Sequence, residues 1–317
     1  MLAERLLERR LVVLSGKGGV GKSVVGAALA LLAAERGKRT LLVEIDAPLE
    51  AARYLGAPPS GPQPTEVRPR LYTVNLHPRG VMDEYVRHTV RVELFARRIL
   101  DSPIYARFFT TAPALKELML LGKVMMFEDE RQGWSRRHRW DLVVLDAPAT
   151  GHGLSFLKVP LAASAAVPIG PVGANARRIL ALLRDRKRTA LIVVAIPEEM
   201  AVVEAAWFHE LAVEQLGLDC AAVVLNAAHE RRFTEAEEAA VLRLTKSDSG
   251  GRIARDVELQ SALVAARRHI RRRKLTRFYE TRLKRSLQAP FVSLPFLFAD
   301  RFGLAEIRAL SGRLAEA

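Results

Sequence analysis

One cysteine, Cys220, is all that the 317 residues contain. That excludes an intramolecular disulfide and any zinc site needing two thiolates from one chain. Long apolar runs are absent too. The longest uncharged stretch, Val159 to Ala176, is interrupted by Pro160, Pro168 and Pro171 and by Gly170 and Gly173, so it makes a poor membrane-spanning helix. The opening residues, MLAERLLERR, place charges where a signal peptide needs an apolar core. On these grounds the chain reads as soluble and cytoplasmic. Half the residues are apolar and 26% are charged, enough to bury a sizeable core. The length admits two domains or one long α/β domain. A net charge of +14 directs attention to acidic partners, whether nucleotide, nucleic acid or anionic lipid.

Short β-rich runs alternate with helical stretches, the signature of a parallel sheet covered on both faces. Residues Leu11 to Ser15, Thr40 to Ile45, Leu71 to Leu76, Trp140 to Asp146, Ala190 to Ile196, Ala221 to Asn226 and Phe291 to Leu294 read as strands. The expected fold is therefore α/β: one doubly wound, mostly parallel sheet in a single domain, residues 1–317. Residues 57–69, with prolines at 58, 59, 62, 64 and 69, read as a loop. Residues 83–130 lack a strand signal and are expected as a helical insertion. Residues 252–287 are expected as one long helix, with Ile253, Val257, Leu263, Ile270, Leu275, Phe278, Leu283 and Leu287 at roughly helical intervals. Thr234 and Glu237 form the capping box of a shorter helix before it.

The chemistry is concentrated after the first strand. Gly16-Lys17-Gly18-Gly19-Val20-Gly21-Lys22-Ser23 fits the spacing G-x-x-x-x-G-K-[ST], between a strand and a helix. Glycines let successive backbone N–H groups turn inward around phosphate oxygens, and the helix N-terminus adds positive potential. Lys22 then reaches the β- and γ-phosphates of ATP, and the Ser23 hydroxyl holds Mg²⁺. The fold is thus expected to be a P-loop NTPase.

KGGVGKS also resembles the deviant phosphate loop of the ATPases that include the partition, septum-positioning, arsenite-pump and tail-anchored-protein targeting enzymes. In that superfamily the extra lysine reaches across a dimer interface, like an arginine finger. The resemblance implies that role for Lys17, and with it a homodimer or a heterodimer with a paralogue. Asp146-Ala147-Pro148-Ala149-Thr150-Gly151-His152 resembles the second switch of the arsenite-pump and tail-anchored-protein targeting branch. The resemblance implies that Asp146 holds Mg²⁺ through water and that the Thr150-Gly151 backbone senses the γ-phosphate. Asp46, ending the second strand, matches the aspartate of the branch's Asp-Pro-Ala-His switch, which orients or activates the attacking water. Here the order is Asp-Ala-Pro and no histidine follows, so only Asp46 is carried over. Asn226 falls where the family binds adenine, and Leu294 to Ala299 where it closes a loop over the base.

Other family features are missing. Cys220 cannot build an arsenite site, which needs several thiolates, and is expected as a core residue. The zinc-clamping cysteine pair before the last long helix is absent, so no zinc is expected. Leu118, Met119, Leu121, Val124, Met125, Met126 and Phe127 form either the floor of a groove for a hydrophobic client or ordinary core. Residues 252–287 hold 12 Lys/Arg against 3 acids, which is +9 of the total +14. That helix is either a solvated face or a contact for an anionic surface or partner. Two functions follow. One is a Mg²⁺-dependent ATPase whose dimer cycle shields or targets a hydrophobic segment. The other is a partition-like positioning switch that binds a surface or partner in its ATP state.

Overall fold

The computed structural model describes residues 2–47, 50–90, 97–98, 100–102, 113–133, 136–247 and 256–317. One sheet holds β1 (Leu11–Ser15), β2 (Thr40–Ile45), β3 (Thr65–Arg68), β4 (Leu71–Leu76), β5 (Leu142–Asp146), β6 (Thr189–Ala195), β7 (Cys220–Ala228) and β8 (Phe291–Pro295). Their order is β3-β4-β2-β5-β1-β6-β7-β8. All pairings in this sheet are parallel except β3 with β4. The fold is therefore α/β with a mostly parallel sheet, as the alternation of strand and helix signals requires.

Strands β1, β5 and β6 are buried at every position. Their side chains alternate between two cores, as the two-residue period of a strand dictates. Val13, Val143 and Val193 pack with Leu121, Phe156 and Phe208 on one face. Val12, Val144 and Ile192 pack with Val25, Leu29 and Leu310 on the other. The helix Lys22–Glu35 is buried from Val25 to Ala34. Such an all-round apolar helix needs cover on both sides, and the sheet and the helix Leu304–Ala315 supply it.

Two expectations change in detail, and one open alternative is decided. Residues 65–68, read as part of a loop, form β3, an antiparallel edge strand with a register shift between Glu66 and Arg68. An edge strand is bonded on one side only and tolerates the Pro69 that ends it. The helical insertion starts earlier than residue 83, because Pro78 occupies the first turn of the helix Pro78–Thr89, a position suited to proline. A second helix spans Pro113–Asp129; residues 91–96, 99 and 103–112 lie outside the described residues. Within that second helix Leu118, Leu121, Val124 and Phe127 are buried in the core. Met119 and Met125 are half-buried and Met126 is 58% exposed. These residues are chiefly core, not the floor of an open groove.

The Thr234 capping box forms: the Thr234 N–H donates to Glu237 Oε2 at 2.7 Å and the Glu237 N–H to Thr234 Oγ1 at 3.3 Å. It opens the helix Glu235–Ser247. The long basic helix runs Val257–Ser286, capped by Asp256, which accepts from the Leu259 N–H at 2.9 Å. Residues 252–255 lie outside the described residues. Of its apolar positions Leu263, Ile270 and Leu283 are buried, whereas Val257, Leu275 and Phe278 are exposed.

At the N-terminal ends of the strands a buried ion cluster locks the insertion to the sheet. Glu128, in the last turn of Pro113–Asp129, is fully buried. Its Oε1 accepts from Arg10 Nε at 2.9 Å and from Arg188 Nε at 3.1 Å, and its Oε2 accepts from Arg188 Nη2. Arg10 immediately precedes β1 and Arg188 immediately precedes β6. Hydrogen bonding to Glu128 raises the Arg188 pKa. Arg10 Nη1 also donates to the Trp140 carbonyl at 3.2 Å, while Trp140 Nε1 donates to Glu130 at 3.0 Å. Among the described residues, no helix is long and apolar enough to cross a membrane.

Candidate active site

At the opposite end, the chain leaves β1 at Ser15 and turns back through Gly16 to Gly21. A Cβ on Gly16 would overlap the Val194 carbonyl of β6, and Gly21 sits at φ 85°, in the left-handed region. Both positions therefore require glycine. Gly21 caps the helix Lys22–Glu35 without any side-chain hydrogen bond. The first backbone N–H groups of the helix thus stay available to an anion.

Lys22 donates to the Lys17 carbonyl at 3.2 Å, which folds its ammonium over the loop. Burial lowers its pKa, and the Asp146 carboxylate partly offsets this. Asp146 ends β5, paired in register with Leu14 of β1, and is 8% exposed. Ser23 Oγ donates to Asp146 Oδ2 at 2.5 Å. A hydroxyl and a carboxylate so placed are hard oxygen donors, the ligand chemistry that Mg²⁺ takes beside a phosphate. Thr150 and Gly151 open the helix Thr150–Ala166. A Cβ on Gly18 would touch Ala149 at 3.6 Å, so this switch lies against the loop; the Thr150 side chain lies outside the described residues.

Asp46 follows β2 at φ 47°, a left-handed conformation that aspartate tolerates better than most residues. The Asn75 amide holds the next residue from both sides. Its Oδ1 accepts from the Ala47 N–H at 3.2 Å and its Nδ2 donates to the Ala47 carbonyl at 2.6 Å. His77 Nδ1 lies 2.8 Å from Asp46 Oδ1. The motif comparison found no histidine after Asp46, yet the fold supplies one from the neighbouring strand end. Lys17 pairs within its own chain, Nζ to Glu204 Oε1 at 2.9 Å, with each side chain about a third exposed. Asn226 is 9% exposed and donates from Nδ2 to the Val20 carbonyl at 3.0 Å. Its amide thus braces the phosphate loop.

Beyond β7 and β8 an aromatic ledge forms. His229 stacks on Phe296 at 5.0 Å between centroids, and the Arg232 guanidinium lies 4.3 Å from the Phe298 ring centroid. Burial, then the charges of Arg272, His269 and Arg232, push the His229 pKa down. Cys220 stands apart from this chemistry; burial pushes its thiol up to about 12.

Lys22, Ser23 and Asp146, expected together around the phosphate, lie together in the structure; Lys17, expected to reach across a dimer, pairs with Glu204, and Asn226, expected at the adenine edge, bonds the Val20 carbonyl. Sequence reasoning missed His77, Asn75 and Glu204. The first two lie at the C-terminal end of β4, where open α/β sheets bind ligands, and that position was the available signal. Glu204 carries no signal in the sequence.

Comparison with known proteins places the sequence among ATPases. The sequence pattern described as anion-transporting ATPase matches residues 9–169. The ATPase BagA of Mycobacterium tuberculosis (strain ATCC 25618 / H37Rv) is 30% identical over 228 residues, covering 70% of this chain and 66% of that protein. The ATPase ASNA1 homolog 1 of Paramecium tetraurelia is 27% identical over 151 residues, 47% of this chain and 43% of that protein. The arsenical pump-driving ATPase of Acidiphilium multivorum is 28% identical over 235 residues, 67% of this chain and 38% of that protein. The aligned stretch thus spans just under two thirds of BagA and less than half of the other two.

Proposed function

The chain belongs to the anion-transporting ATPase family, and from that premise we propose that it is a Mg²⁺-dependent ATPase cycling between open and closed dimers. The observation that carries the proposal is the junction of Lys22, Ser23 and Asp146 under a loop that only glycines can form. Lys22 and the loop N–H groups bind the β- and γ-phosphates. Ser23 and Asp146 are the residues that would hold Mg²⁺, which supplies charge neutralisation on the phosphates when bound. Asp46 accepts a hydrogen bond from the attacking water and orients its oxygen toward the γ-phosphorus; the new P–O bond forms as the bond to the β–γ bridging oxygen breaks, ADP leaves with that electron pair, and the water's proton passes to the released phosphate. His77 holds that carboxylate in place. Thr150 and Gly151 sense the γ-phosphate, and Asn226 turns from the Val20 carbonyl to the adenine edge.

Lys17 completes the site of the opposing subunit, a second copy or a paralogue. To do so it must leave Glu204, so the intrachain pair marks the open state. The cycle shields or targets a hydrophobic client segment, a reading supported by the likeness of Asp146 to His152 to the second switch of the targeting branch. The second reading, a positioning switch acting on an anionic surface, draws on the unusually basic helix Val257–Ser286.

The test is phosphate release from ATP by the full chain, with and without EDTA, beside Lys22→Ala. Turnover that needs Mg²⁺ and disappears in the variant is expected. Undiminished turnover in Lys22→Ala would remove the phosphate-site assignment.

A further inference from the structure

The helix Val257–Ser286 carries an unpartnered seam. Val264, Arg268, Arg271, Leu275, Phe278 and Arg282 follow one another at steps of four and three residues. That spacing places them in one stripe about 27 Å long, with the period at which one helix meets another. The stripe faces solvent: Val264 is 57% exposed, Leu275 42% and Phe278 60%, and the three arginines are exposed as well. None of these arginines makes an ion pair or side-chain hydrogen bond with another described residue.

The first half of the seam opens on a groove of about 610 Å³ between this helix and Glu235–Ser247, with Leu242, Leu263 and Ile270 among its lining. Arg267, Arg268, Arg271 and Lys274 also line it, and among the described residues no acidic side chain does. Apolar side chains left in water gain by burial, and four uncompensated cations select a negative occupant.

The arrangement also discriminates among occupants. A lipid surface suits a helix whose apolar arc is separate from its cations. Here Arg268 and Arg271 lie inside the apolar stripe, between Val264 and Leu275. Nucleic acid phosphates give Leu275 and Phe278 nothing to bury against. A second copy's matching seam would set the same arginines against Arg268, Arg271 and Arg282 and be repelled from this face. We propose that this seam docks an acidic amphipathic helix of a partner protein, whose apolar residues meet Val264, Leu275 and Phe278 and whose carboxylates meet Arg268, Arg271 and Arg282.

The test places a photo-crosslinker in the seam, Phe278→p-benzoylphenylalanine, in the full chain expressed in its native host. Irradiation and mass spectrometry then map the attached segment. The expected adduct is an acid-rich helical segment of another protein. It should fall at least about tenfold when Arg268→Glu and Arg271→Glu are added, and return when two mapped acidic residues are changed to lysine. The milder pair Arg268→Gln and Arg271→Gln should weaken it in the same direction, with ATP turnover unchanged in both. Adducts to lipid, to nucleic acid or to a second copy of the chain overturn the proposal. So does the absence of any adduct, or one that survives charge reversal.

Discussion

The two ends of the sheet handle buried charge in opposite ways. At the N-terminal end Glu128 is enclosed and bonded by Arg10 and Arg188, and Trp140, Glu130 and Arg139 close the ring around it. Each of these groups is bonded to another within the chain, and removing Arg10 or Arg188 would leave the fully buried Glu128 carboxylate short of a donor. At the C-terminal end the donors are held by single contacts. The helix after Gly21 lacks a side-chain cap, Lys22 is half-buried over a backbone carbonyl, and Lys17 is held by one contact across the chain. One end stabilises the fold, and the other keeps its capacity for a ligand. Substitutions should therefore separate into two classes, those that alter rate and those that alter stability.

After Lys22→Ala, the largest effect is expected from Lys17→Ala. Finger-type charges are worth ~10³–10⁵ in rate, about 4–7 kcal/mol of barrier. ATP binding should persist, because Lys22 and the backbone cradle remain, and the urea midpoint should not move. Calorimetric titration beside steady-state turnover measures both. Next comes Glu128→Ala at the opposite end, which should cost about 1–3 kcal/mol in urea unfolding by leaving the partly exposed Arg10 and Arg188 without their buried partner. Turnover per folded molecule should stay at the wild-type value. A variant there that lost turnover without losing stability would break the comparison.

Asn226→Ala lies between the classes, since the residue both braces the loop and lies within β7, two residues before its end. It leaves the Val20 carbonyl without its donor, at about 1–2 kcal/mol of stability, and ATP affinity should fall with it. The smallest effect belongs to His77→Asn. The Asp46–His77 pair is more than half exposed on both sides, so stability should change by under about 1 kcal/mol. A drop in kcat without a rise in KM would show that the pair positions Asp46 for chemistry.

The separation also explains what the sequence could disclose. Strands β1, β5 and β6 are legible because a strand buried on both faces needs an unbroken apolar run, and LVVLS, LVVLD and TALIVVA are such runs. The phosphate loop is legible because its glycines answer to local backbone geometry. Edge strand β3 escapes because TEVR buries too little to leave a pattern. Glu128, His77, Asn75 and Glu204 escape because each meets its partner through topology, across 31 residues for His77 and Asp46 and 118 for Glu128 and Arg10. The Met-rich stretch stays open between two readings for a related reason, since a helix packed into a core and one lining a groove share the same apolar spacing.

The most direct test of the account mixes two inactive proteins, Lys17→Ala and Asp46→Asn. Asparagine suits the left-handed backbone at position 46, so the second variant should fold. In a mixed dimer, the lysine of the Asp46→Asn chain would face the intact Asp46 site of the Lys17→Ala chain. If Lys17 leaves Glu204 and acts on the opposing subunit, each mixed dimer holds one complete site, and partial ATP turnover returns on mixing. Two proteins that remain as inactive together as apart would contradict a lysine acting across the interface.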